Sequence, residues 1–234
     1  MSFVALLIGI ILIVIISKLS QIFKFSLIWE LLGQIGASLV IILIGNVNIS
    51  FFNLIYGNQI ELGYMTIPFS LLFLIGFTNV MNKERMQNYL ILLLPFVSLA
   101  CISVWSFIMG FSFVTVTGIC TSLSILIILL YSYYSGETFI GRTLTASIGF
   151  IIAVLSLALK NVYIPLFTLA LPFVLYYLLL NKFTNLQSIV ISSLVSIFFS
   201  VLMFAVPSSI LCYLVVGLTV ILVLTQLSRR YRLI

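Results

Sequence analysis

The sequence contains no histidine and no aspartate, and its 234 residues include only four carboxylates, Glu30, Glu61, Glu84 and Glu137. Metal centres, nucleophilic triads and general acid–base pairs usually draw on His, Asp or Cys. The three cysteines, Cys101, Cys120 and Cys212, all lie inside apolar runs, where a free thiol acts as a small hydrophobe. No disulfide framework and no cysteine-based metal site is indicated. Most enzyme chemistries therefore lack their usual side chains.

Charge is scarce as well. Only 6% of residues are charged and 64% are hydrophobic, whereas a soluble domain carries about a quarter charged residues. Water cannot solvate such a chain all round, so it is an integral membrane protein. The net charge of +6 belongs to membrane topology. There is no basic patch interleaved with exposed aromatics, and the twenty Phe are spread through the apolar runs, so no nucleic-acid partner is expected.

Apolar runs long enough, or nearly so, to cross about 30 Å of hydrocarbon fall at 3–17, 27–45, 64–82, 89–109, 112–131, 143–159, 162–180, 187–206 and 208–226. The expected fold is an all-α polytopic bundle of about nine transmembrane helices forming one domain, 1–234. The first run has the length of a signal-peptide core, but it lacks a basic n-region and a clear cleavage site, and Lys18 follows it. It is expected to be a retained helix. With the N-terminus outside, Lys18, Lys24, Lys83, Arg85, Arg142, Lys182, Arg229, Arg230 and Arg232 are all cytoplasmic and Lys160 alone is outside. That split follows the positive-inside rule and puts the C-terminus inside. Segment 46–63 (NVNISFFNLIYGNQIELG) alternates polar and apolar residues before a Gly57-Asn58 turn signal. It is expected to form a small extracytoplasmic β-hairpin.

The stretch IWELLGQIGASLVIILIGNVNISFFNLIYGNQIELGYMTIPFSLLFLIGFTNVMN (28–82) resembles the bacterial polyprenyl-phosphate N-acetylhexosamine-1-phosphate transferases, which start teichoic acid, O-antigen and related lipid-linked glycans. It carries their Gly-Gln pair (Gly33-Gln34), their outer hairpin pattern and their "G-x-T-N-A/V-x-N" ending, in order and at the right spacing. Downstream, IGRTLTASIGFIIAVLSL (140–157) is similar to the family's "M-G-D-T/S-G-S-x-F-L-G-F-x-I-A-V-L-S-L". The resemblance runs from about residue 10 to about 180, and the family's first two helices or so are expected to be missing. It implies a multi-pass protein of the bacterial cytoplasmic membrane.

The resemblance also implies a loss. Family members hold Mg²⁺ and handle the lipid phosphate with cytoplasmic Asp residues, because bringing two phosphate groups together requires neutralising charge. Their Asp-Asp pair falls on Ser20 and Gln21, the two Asp of "N-L-I-D-G-L-D-G" fall on Arg85 and Asn88, and "G-D" falls on Gly141-Arg142. Their late His-rich loop has no counterpart in NKFTNLQ (181–187). The chain is therefore expected to have no catalytic residues, no metal ligands and no Mg²⁺ cofactor.

Asn79 and Asn82 then stand at the rim of the former site, and Lys83, Arg85 and Arg142 are candidate phosphate contacts, since Arg suits bidentate phosphate binding. Alternatively, these cations are ordinary interfacial anchors. Glu84 and Glu137 are possible partners for Arg85 and Arg142. Glu30 is either a relic of the site or a carboxylate favoured by a helix N-terminus. Pro68, Pro95, Pro165 and Pro172 lie within helices, where they kink them or open backbone carbonyls. The expected function is that of an inactive relative in cell-envelope glycan assembly, binding the polyprenyl phosphate carrier or an active transferase partner, as a homodimer or heteromer. Residual or altered phospho-sugar transfer is one alternative. A lipid or solute transporter is another, disfavoured by the lack of a charged relay at mid-membrane depth.

Overall fold

A computed structural model describes residues 3–23, 27–49, 51–53, 59–81, 89–135, 141–180 and 182–206, together with 210, 213, 214 and 217. Nearly all of them are helical. In chain order the elements are α1 (Phe3–Phe23), α2 (Leu27–Leu43), β1 (Phe51–Asn53), β2 (Gln59–Glu61), α3 (Thr66–Met81), α4 (Leu93–Ile108), α5 (Ser112–Ser135), α6 (Arg142–Ala158), α7 (Tyr163–Pro165), a π-helical turn (Leu166–Ala170), α8 (Leu171–Leu179) and α9 (Asn185–Ala205). Short 3₁₀ turns lead into α3 and α4. Among the described residues, five helical segments are long and apolar enough to cross a membrane, namely Phe3–Phe23, Gly63–Met81, Tyr89–Ile108, Ser112–Ser135 and Asn185–Ala205, and three shorter apolar ones lie at Ile28–Leu43, Arg142–Ala158 and Tyr163–Leu179. The protein is a multi-pass membrane protein. Most of the expected span at 208–226 lies outside the described residues.

Within 46–63, three-residue strands β1 and β2 pair antiparallel, with Phe52 opposite Ile60. Asn46–Ile49 is not in a strand, and residues 54–58, including the Gly57-Asn58 signal, lie outside the described residues. The Ile49 backbone N–H donates to Ser70 Oγ (2.9 Å) in the first turns of α3, which ties this segment to the bundle.

Helix α6 is the centre of the bundle. From Thr145 to Leu157 all but one of its side chains are buried, as expected of a helix that is apolar on every face. It packs against α1, α3 and α4, while α1 also lies along α2 and α4 along α5. The α3–α6 crossing is close because position 149 is glycine: a Cβ there would meet the Phe77 carbonyl oxygen at 2.6 Å. Large apolar side chains of α1, α5 and α9, such as Ile11, Ile127 and Val201, face outward, where hydrocarbon is the solvent.

The turns follow local chemistry. Helix α6 ends with Lys160 at φ 53°, the Lys160 N–H on the Leu157 carbonyl and the Asn161 N–H on the Ser156 carbonyl. This is a Schellman ending with lysine at the left-handed position. Helix α9 begins with a capping box in which Thr184 Oγ1 accepts from the Gln187 N–H and the Gln187 side chain accepts from the Thr184 N–H.

Candidate functional site

Four helix ends meet at one end of the bundle: the last turns of α1, the first turns of α2, the end of α3 and the first turn of α6. The apolar run in α1 stops at residue 17, but the helix continues to Phe23. Ser20 and Gln21, which the resemblance sets against an Asp pair, are therefore helical. Ser17 Oγ and Gln21 Nε2 each donate to Thr143 Oγ1 at 3.2 Å. This joins Gln21 at the end of α1 to the residue that follows Arg142.

Arg142 is the first residue of α6, after an extended Gly141. Its guanidinium Nη2 lies 2.5 Å from Glu30 Oε2. Glu30 sits in the first turn of α2 and is only 5% exposed, while the Arg142 side chain keeps 23% of its surface. A cation at a helix N-terminus faces the positive end of the helix dipole. The Glu30 carboxylate, itself favoured at the start of α2, offsets both charges across the α2–α6 contact.

One turn further along α2 stands the Gly-Gln pair. A Cβ at Gly33 would overlap the Ile16 side chain, so glycine here admits α1. The buried Gln34 exchanges two hydrogen bonds with Asn79 of α3: Asn79 Nδ2 donates to Gln34 Oε1 at 2.8 Å, and Gln34 Nε2 to Asn79 Oδ1 at 3.2 Å. The "Gly-Gln" and "T-N" patterns are thus two halves of one interhelical amide pair.

Of the candidate residues, the structure brings Asn79 and Arg142 to the same end of the bundle. Asn82, Lys83 and Arg85 lie outside the described residues, as do Glu84, Asn88 and Glu137. Ser17 and Thr143 were not singled out from the sequence; a serine closing the first apolar run and a threonine opening the sixth were the available signals. Among the described residues, no three of His, Cys, Asp and Glu come together. The side chains described here can hold helices in register and offer one guanidinium, whose charge is matched by one carboxylate.

The model of glycosyl transferase family 4 matches residues 3–160, more than half of the chain and the part that contains all four of these helix ends. The chain is also 25% identical over 172 residues to a Bacillus subtilis (strain 168) protein described as a probable undecaprenyl-phosphate N-acetylglucosaminyl 1-phosphate transferase. That match covers 73% of this chain and 48% of the relative, so the chain spans about half the length of the curated protein it matches. Both findings agree with the Gly33-Gln34 and Asn79 contacts seen in the bundle, and the chain belongs to glycosyl transferase family 4.

Proposed function

We propose that the chain is a non-catalytic relative of the polyprenyl-phosphate sugar-1-phosphate transferases, acting in cell-envelope glycan assembly by holding the polyprenyl phosphate carrier, alone or beside an active transferase. One observation carries this reading: Arg142, which the resemblance sets at "G-D", is paired with a buried Glu30. A hard dication needs several oxygen ligands, and among the described residues the carboxylate beside Gly141-Arg142 is Glu30, which is paired with Arg142. The described side chains do not fit Mg²⁺. What remains is a guanidinium, a phosphate-binding group, at the end of the bundle that the family uses for chemistry.

This reading takes nine spans, an outer hairpin at 46–63, the N-terminus outside and the C-terminus inside. Purified protein given a UDP-sugar, polyprenyl phosphate and Mg²⁺ is expected to release no UMP above a protein-free control. Turnover in that assay overturns the reading. Native mass spectrometry is expected to show co-purified polyprenyl phosphate on the wild type and less of it on Arg142→Ala.

A further inference from the structure

The lipid-facing surface of α1 does not stop where its charge begins. Val4, Ile8, Ile11, Ile15, Leu19 and Ile22 are all exposed. Their spacing of three or four residues keeps them on one face of the helix, a stripe about 27 Å long. Lys18 lies beside that stripe, one turn before Ile22, and is exposed as well. A lysine does not interrupt such a surface, because its methylene stem lies along apolar neighbours while the ammonium reaches the headgroups. At the same end of the bundle, Phe23 closes α1, and Ile28 and Trp29 stand in the first turn of α2. Ile22, Phe23, Ile28 and Trp29 each keep 60% or more of their surface. A contiguous apolar patch of this kind is uncommon where a protein faces water.

These side chains share a level with the polar cluster. Gln21, bonded to Thr143, precedes Ile22 by one residue. Glu30, paired with Arg142, follows Trp29 by one. At about 1.5 Å of rise per residue, the apolar side chains are level with the cluster or slightly beyond it, toward the end of the bundle.

We propose that the paired ends of α1 and α2 form a membrane-seated rim. Ile22, Phe23, Ile28 and Trp29 occupy the boundary between lipid headgroups and acyl chains, Lys18 reaches anionic headgroups, and the Arg142–Glu30 cluster sits at that depth, not out in the aqueous phase. Two observations select lipid over a protein partner as the occupant. The patch is continuous with the surface that α1 presents to hydrocarbon from Val4 onward. The charge beside it, among the described residues, is a cation, which complements an anionic lipid surface. Tryptophan is also enriched at this depth, where its ring is apolar and its N–H is wet. A phosphate group borne by a lipid would meet the cluster without leaving the bilayer. Neither the rim nor its test depends on the carrier-binding reading above.

Trp29 and Trp105 are the two tryptophans of the chain, so Trp105→Phe leaves Trp29 as a single fluorescent probe beside Glu30. The full chain is reconstituted in vesicles of phosphatidylcholine and phosphatidylglycerol, with bromine on the acyl chains near the headgroup, midway or near the chain end. Iodide, present on both sides, is the quencher from water. Trp29 emission is expected to be blue-shifted from that of tryptophan in water, quenched most by bromine near the headgroup and little by iodide. Strong iodide quenching without bromolipid quenching overturns the rim, because this end then lies in water. Protection from both quenchers also overturns it, because a protein surface, such as a second copy of the chain, then covers the patch. Quenching greatest at the chain end places Trp29 too deep and overturns it as well. Should Trp105→Phe fail to fold, Trp29→Phe reports Trp105 alone, and its difference from wild type gives the Trp29 signal.

Discussion

Arg142→Ala takes the cation away from a carboxylate that the bundle has enclosed. Breaking a buried ion pair from one side costs roughly 3–5 kcal/mol, and the partial exposure of Arg142 places this case toward the lower figure. Replacing both partners, as in Glu30→Leu with Arg142→Leu, leaves no buried charge. The double variant is expected to melt above Arg142→Ala in detergent and close to the wild type. A double variant that melts lower than the single one would show that the pair is net stabilising and not merely self-compensating. Sequence reading named Arg142 as a candidate phosphate contact and offered Glu137, which lies outside the described residues, as a possible partner. Among the described residues the carboxylate beside Arg142 is Glu30, 112 positions away. Local charge patterning has no access to such a pair, because α2 and α6 are brought together at this end through their shared neighbours α1 and α3. The resemblance did reach further: the residues matched to the Asp pair and to "G-D" fall in the same cluster, with Gln21 bonded to Thr143.

At the scale of elements, apolar runs located the described helices within a few residues, since hydrocarbon thickness dictates their length. The ends were harder to read. Helix α1 runs six residues beyond its apolar stretch because its last turns find polar partners on α6. The prolines of the seventh run show the same division between what is local and what is not. Pro172 lacks an N–H, so the Thr168 carbonyl loses its usual α-helical donor, and the chain passes through a π-helical turn just before it. The opened carbonyl was legible from the proline, and the π-helical turn was not. The replacement donor, Ser196 Oγ of α9 at 2.5 Å, was not, because one serine among the serines of an apolar helix looks like any other. Thr168 is also joined to α4, through Ser98 Oγ at 2.8 Å. Ser196→Ala is expected to destabilise the protein by about 1 kcal/mol, the usual scale for an interhelical hydrogen bond within a membrane. Pro172→Ala restores a backbone donor, so the same Ser196→Ala change should matter less in that background. Equal losses in both backgrounds, read by thermal denaturation, would mean that Ser196 does not compensate for the proline.

For the whole molecule, the bundle fixes which groups share an end, and only charge says which end faces the cytoplasm. Helix α6 begins beside Ser17 and Gln21 and rises about 25 Å over its 17 residues before the turn at Lys160. Lys18 and Lys160 therefore lie at opposite ends, and both are exposed. The positive-inside rule assigns Lys18 and eight other cations to the cytoplasm and leaves Lys160 outside. On the proposed orientation the polar cluster of Arg142, Glu30, Gln34 and Asn79 faces the cytoplasm. In a variant with Cys101, Cys120 and Cys212 replaced by serine, Lys160→Cys is expected to react with a membrane-impermeant maleimide in intact cells. Lys18→Cys should react only after permeabilisation. The opposite pattern would turn Arg142 to the outer face. A phosphate site there could not meet a carrier loaded on the cytoplasmic side, and the proposed role would fail on geometry alone, whatever the affinity of the guanidinium for phosphate.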